Sequence, residues 1–98
     1  MHHPNQPYGS NFVFSITIDG TSKYSFFHCR KCDTRYFGCK DSDYLRLQYE
    51  SSYHWLFNII EHWLHDDPKR IVSWYINQFE LCCIENNLKF YCYRGDET

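Results

Sequence analysis

The chain contains no alanine, and only four glycines and three prolines stand among its 98 residues. That excludes a collagen-like repeat and a Pro/Gly-rich low-complexity chain. The formal net charge is only −2, which excludes a polyanion binder driven by bulk charge. No apolar run approaches the roughly 18–20 residues of a membrane span. The opening MHHPNQPYGSN has no apolar stretch to serve as a signal peptide. The expectation is one soluble, cytoplasmic domain over residues 1–98, with no membrane partner and with residues 1–10 as an irregular arm.

What the chain has is rings and thiols. Nine Tyr, eight Phe and three Trp make 20% of it aromatic, which excludes a disordered tail or a coiled coil. Six cysteines in a reducing compartment are expected to be free, buried or metal-bound.

Residues 12–18, FVFSITI, alternate with period two and predict a strand whose Phe12, Phe14, Ile16 and Ile18 share one face. Asp19-Gly20 marks a turn into a second strand, KYSFFH. A two-residue loop would set the apolar face of the first strand against Lys23 and Ser25. An odd-length loop, with a glycine-assisted bulge, sets it against Tyr24 and Phe26. A short third strand is expected at Arg35–Phe37. Another is expected at Tyr44–Tyr49, where Leu45, Leu47 and Tyr49 alternate; the rival reading starts a helix at Asp43. Residues 52–66 form an amphipathic helix with Leu56, Ile59, Ile60, Trp63 and Leu64 in one stripe, capped by Ser51 or Ser52. Asp67 caps and Pro68 opens a second helix running to about residue 86, stopped by Asn86-Asn87. LKFYCYR closes the chain as a strand, with Leu88, Phe90 and Cys92 on one side. The fold class is α+β: a mainly antiparallel sheet packed by a two-helix hairpin.

Cys29-Arg30-Lys31-Cys32 follows directly on a strand, and FHCRKCDTRYFGC resembles half of a zinc ribbon. The resemblance implies zinc as a cofactor, with Cys29 and Cys32 as two ligands. A second C-x-x-C is missing, so Cys39 and Cys92 are the assigned partners, with Cys82, Cys83, His62 and His65 as other donors. Read instead as a redox pair, the motif lacks the helix that begins at the second thiol of thioredoxin-type sites. No G-x-S-x-G, H-E-x-x-H or P-loop pattern occurs, and the chain is expected not to be an enzyme.

Two stretches point to binding. Ile71, Val72, Tyr75, Ile76, Phe79, Cys82 and Cys83 supply one apolar face of the second helix. Trp74 and Leu81 fall on another side, flanked by Arg70 and Gln78, with Ile84 nearby. A helix apolar on two sides is sandwiched or presents one side to a partner, either a second copy or a target. The second stretch is the turn carrying Arg30, Lys31 and Arg35 with Tyr36, where cation and ring together suit single-stranded nucleic acid. The leading expectation is a small non-enzymatic protein that occupies a protein partner stoichiometrically. Its composition resembles that of compact viral and phage accessory and inhibitor proteins. The alternative is a nucleic-acid module stabilised by a zinc knuckle.

Overall fold

The computed structural model describes residues 11–49, 54–65 and 71–95. The arm at 1–10, the serines at 51 and 52 and the Asp66-Asp67-Pro68 boundary lie outside them. The order is β1 (Asn11–Ile18), β2 (Ser22–Cys29), β3 (Thr34–Gly38), α1 (Asp41–Tyr49), α2 (His54–His65), α3 (Val72–Glu85) and β4 (Phe90–Arg94). The strands form one antiparallel sheet in the order β3-β2-β1-β4, so the last strand pairs with the first. The α+β class holds, with three helices where two are expected.

The loop between β1 and β2 is odd, as the apolar match requires. Ile18 pairs with Ser22, leaving residues 19–21 between them. Asp19 and Gly20 take left-handed φ of 53° and 73°, which Gly adopts freely and Asp more readily than most residues. Asp19 is tied twice to the segment before β4: its N–H donates to the Lys89 carbonyl at 3.0 Å and its Oδ1 accepts from the Lys89 N–H at 3.1 Å. Phe14 then meets Phe26 and Ile16 meets Tyr24 across the ladder.

The irregularity in this ladder sits at the far end of β1. The register shifts between Phe12 and Phe14, and Phe12 pairs with Phe27. The extra residue turns Phe12 away from the face it is expected to share with Phe14 and Ile16. Val13 is buried, while the Phe12 ring lies against Phe27 and Tyr93, each 5.9 Å away between centroids.

The core lies between one sheet face and the helices. Phe14 stacks on Phe26 at 4.2 Å, and Trp63 of α2 stands edge-on to both at 5.4 and 5.7 Å. Phe79 and Tyr75 of α3 complete this fully buried group. Rings of this size fill a small core that alanine would leave hollow; truncating one costs about 3–5 kcal/mol.

Residues 44–49 are helix, not strand. Asp41 and Asp43 stand in the first turn of α1, where acidic side chains favour the helix N-terminus, and the Lys40 carbonyl accepts from the N–H groups of Asp43 and Tyr44. Only Leu47 is buried. Leu45 and Tyr49, which give the stretch its strand-like alternation, are 51% and 77% exposed. The first expected helix matches α2, with Leu56, Ile60 and Trp63 buried and Ile59 and Leu64 packed beside them.

The second expected helix starts later than Pro68. Ile71 is extended (φ −71°, ψ 148°) and helical geometry begins at Val72. No side chain caps this start, and two β-branched residues in succession are weak helix formers, so packing of the inner face sets the boundary. The helix ends where Asn86-Asn87 places it. Asn87 has φ 56°, its N–H donates to the Ile84 carbonyl, and the Leu88 N–H donates to the Cys83 carbonyl at 2.8 Å. This is a Schellman closure, with Asn in the position glycine usually holds.

Candidate functional site

The structure does not gather the four expected zinc ligands. Cys29 ends β2 and Cys32 lies in the following turn. Cys39 follows β3 at one edge of the sheet, whereas Cys92 is on β4 at the opposite edge. Two strands lie between those edges, a span of about 14 Å. Among the described residues, no group of three or more His, Cys, Asp and Glu side chains is placed to hold a metal ion. His62 is exposed on α2, and His65 faces Glu61 at 3.6 Å. All six cysteines are free thiols.

What the turn does build is an acidic thiol. Hydrogen bonding from Thr34, then from Cys29 and Tyr36, lowers Cys32 to about 7. The Tyr36 hydroxyl is 3.8 Å from the exposed Sγ, and the same contact raises the tyrosine. Burial pushes Cys39 and Cys83 the other way, each to about 11. Cys32 is thus set apart from the packed thiols by the hydrogen bonds around it.

The four residues of the expected basic patch separate. Arg30 and Lys31 are exposed in the β2–β3 turn. Tyr36 pairs with Phe27, on the sheet face away from the helices. Arg35 points to the opposite side. Its Nη1 donates to the Trp63 carbonyl at 2.9 Å and to the Tyr75 hydroxyl at 3.5 Å, and its guanidinium lies 4.5 Å above the Trp63 ring. Trp63 is third from the end of α2, where backbone carbonyls lack helical partners. Arg35 therefore closes the C-terminus of α2 and clamps β3 to the helical layer.

The second stripe on α3 is present. Tyr75, Phe79 and Cys83 are buried against the sheet, with Val72 and Ile76 packed beside them. On the outward side Trp74 is 38% exposed and Leu81 45%, and Gln78 is half-buried between them. Ile71, expected on the inner face, stands outside at 68%, as does Ile84. Trp74, Gln78, Leu81 and Ile84 follow the i, i+4, i+7, i+10 spacing of one helix side, and Ile71 stands before them at the N-cap. Arg70 lies outside the described residues.

A further set escaped the sequence reading. Tyr91 and Tyr93, the alternate positions to Phe90 and Cys92, face away from the helices and are 65% and 59% exposed. The alternation that assigns Phe90 and Cys92 to the core also assigns these tyrosines to the other face. Phe12 joins them only because of the bulge. Searches of family models, curated proteins and solved structures find no match to this chain.

Proposed function

We propose that the chain is a small non-enzymatic binding protein that occupies a protein partner stoichiometrically through the outward side of α3. One observation carries the reading. The inner side of α3 is already complete in Tyr75, Phe79 and Cys83, yet Trp74, Leu81 and Ile84 are exposed along the outer side, with Ile71 exposed at the N-cap before them. Exposed apolar side chains scattered singly are ordinary, but a row along one helix is the form of a helix-borne interface. Trp is the side chain most enriched at energetic centres of interfaces, and Gln78 supplies a polar neighbour. The compositional resemblance to viral and phage accessory and inhibitor proteins agrees with action by occupation of a target.

The test compares the wild type with Trp74→Ala and Leu81→Glu, both exposed enough to spare the fold. Light scattering after size exclusion reads self-association, and titration calorimetry with the captured partner reads stoichiometry. The reading expects one partner per chain and a loss of at least about tenfold in affinity in either variant. Unchanged oligomeric state together with unchanged partner binding in both variants refutes it.

A further inference from the structure

The sheet has a second face, and all three helices pack on the other one. On this face a row of rings crosses the four strands: Tyr36 on β3, Phe27 on β2, Phe12 on β1 and Tyr93 on β4. Phe27 is buried and Phe12 and Tyr36 are half-buried, while Tyr93 and its neighbour Tyr91 stand out. Beside the row lies an open groove of about 470 Å³, lined by Phe12, Ser15, Thr17, Lys23, Tyr91 and Tyr93.

The charge of the chain is divided between the same two layers. Residues 11–40 and 88–95, which hold the sheet, carry seven Lys and Arg against two Asp. Among the described residues, 41–49, 54–65 and 71–87, which hold the helices, carry one Arg against five Asp and Glu. No acidic residue lies on any of the four strands. Both aspartates of the sheet half are engaged in turns, Asp19 with the Lys89 backbone and Asp33 with His28 at 2.8 Å. The segments that carry the rings are thus cationic, although the full chain, with Asp96 and Glu97 following them, nets −2.

We propose that this face binds single-stranded nucleic acid, with bases stacked on Tyr93, Tyr91 and Phe12 and the backbone held by Lys23 and the surrounding cations. Stacking accepts any base because every base has a flat face, and cations along the groove neutralise phosphates. A flat sheet projects nothing into the groove of a duplex, so splayed single-stranded bases are the form that fits. Lys23 in the groove, on a sheet whose four strands carry no acidic residue, selects a polyanion over a protein partner for this face. The hydroxyls of Ser15 and Thr17 line the groove as donors and acceptors for base edges or phosphate oxygens. This site is separate from the α3 row and does not depend on it.

Fluorescence anisotropy of the full chain with labelled oligothymidylate and oligouridylate of about 12 nucleotides tests the site. A duplex of equal length and vesicles of anionic phospholipid serve as competitors. Single strands are expected to bind, more tightly than duplex, with affinity falling as salt rises from about 50 to 200 mM. Tyr91→Ala and Tyr93→Ala should each weaken binding about 10- to 100-fold. Lys23→Ala should lower the salt slope by about one, and Gln48→Ala, exposed on α1, should change nothing. Tyr91→Val and Tyr93→Val repeat the test with residues that suit a strand but offer no stacking face. The proposal is overturned by absence of single-strand binding at about 50 mM salt, by affinity indifferent to salt, or by full affinity in the doubly substituted valine chain. Preference for the duplex or for the vesicles over the single strand overturns it equally.

Discussion

Replacing Arg35 by methionine should destabilise the domain far more than loss of a half-exposed cation ordinarily does. Methionine keeps the apolar stem but removes the donor to the Trp63 carbonyl, 2.9 Å away, and the cation 4.5 Å above the Trp63 ring. A hydrogen bond from a charged donor contributes about 1.5–3 kcal/mol, and a partly desolvated cation–π contact about 0.5–2 kcal/mol. The two share one group, so the combined loss is about 2–4 kcal/mol. In a domain of this size that lowers the melting temperature by about 10–20 °C. Arg35→Lys keeps the charge but not the planar fork, and should recover less than half of the loss. Thermal and urea unfolding followed by circular dichroism measure both variants, and an unchanged urea slope confirms that the unfolded chain is comparable. A methionine variant melting within about 2 °C of the wild type refutes the clamp, and a lysine variant equal to the wild type refutes its dependence on guanidinium geometry.

Other outcomes follow from single environments. Cys32, lowered to about 7, should alkylate first among the thiols, with a rate half-maximal near pH 7 that levels about one pH unit higher, while Cys39 and Cys83 stay slow; peptide mapping after brief iodoacetamide treatment reads the order. Burial, then the hydrogen bond to Glu61 at 2.7 Å, raises Tyr44 to about 12. Its neutral form is the one favoured in the folded chain, so its contribution to stability is complete below pH about 10 and is lost as pH rises from there towards 12. Urea midpoints across that window should fall less steeply in Tyr44→Phe. Asn87, at φ 56°, should tolerate glycine, whereas Asn87→Ala should cost about 1–2 kcal/mol by chemical denaturation.

Much of the sheet was legible because side-chain alternation admits few solutions. The parity of the β1–β2 loop followed from matching Phe14 and Ile16 to Phe26 and Tyr24, and the structure has that match. The bulge before Phe14 was not legible, since one inserted residue leaves no compositional mark and is fixed by pairing with β2. Residues 44–49 misled because Leu45 and Tyr49 are apolar without being buried. The acidic first turn beginning at Asp41 was the better signal. Of the candidate sites, the α3 row was visible as surplus apolar spacing, and only the exposure of Ile71 beside it required the structure. Arg35 had no such mark. A cation on a short strand reads as solvent-facing until the end of α2 is placed over it. The division of charge between layers was equally hidden, because net charge is a sum over the chain and ignores which residues the topology brings to one side.

The pairing of β4 with β1 also fixes the order in which the chain can finish folding. During synthesis β1 and β2 emerge early and form a hairpin, with β3 following beside β2. The outer edge of β1 then stays unpaired until residues 90–94 emerge, although β1 becomes an interior strand of the finished sheet. Through that interval a strand rich in Phe and Ile presents unsatisfied backbone groups, the condition under which strands of separate chains join. A chain shortened before Phe90 would keep this edge permanently. Residues 90–94 thus cover an edge that is adhesive while bare, and chains lacking them should assemble edge to edge.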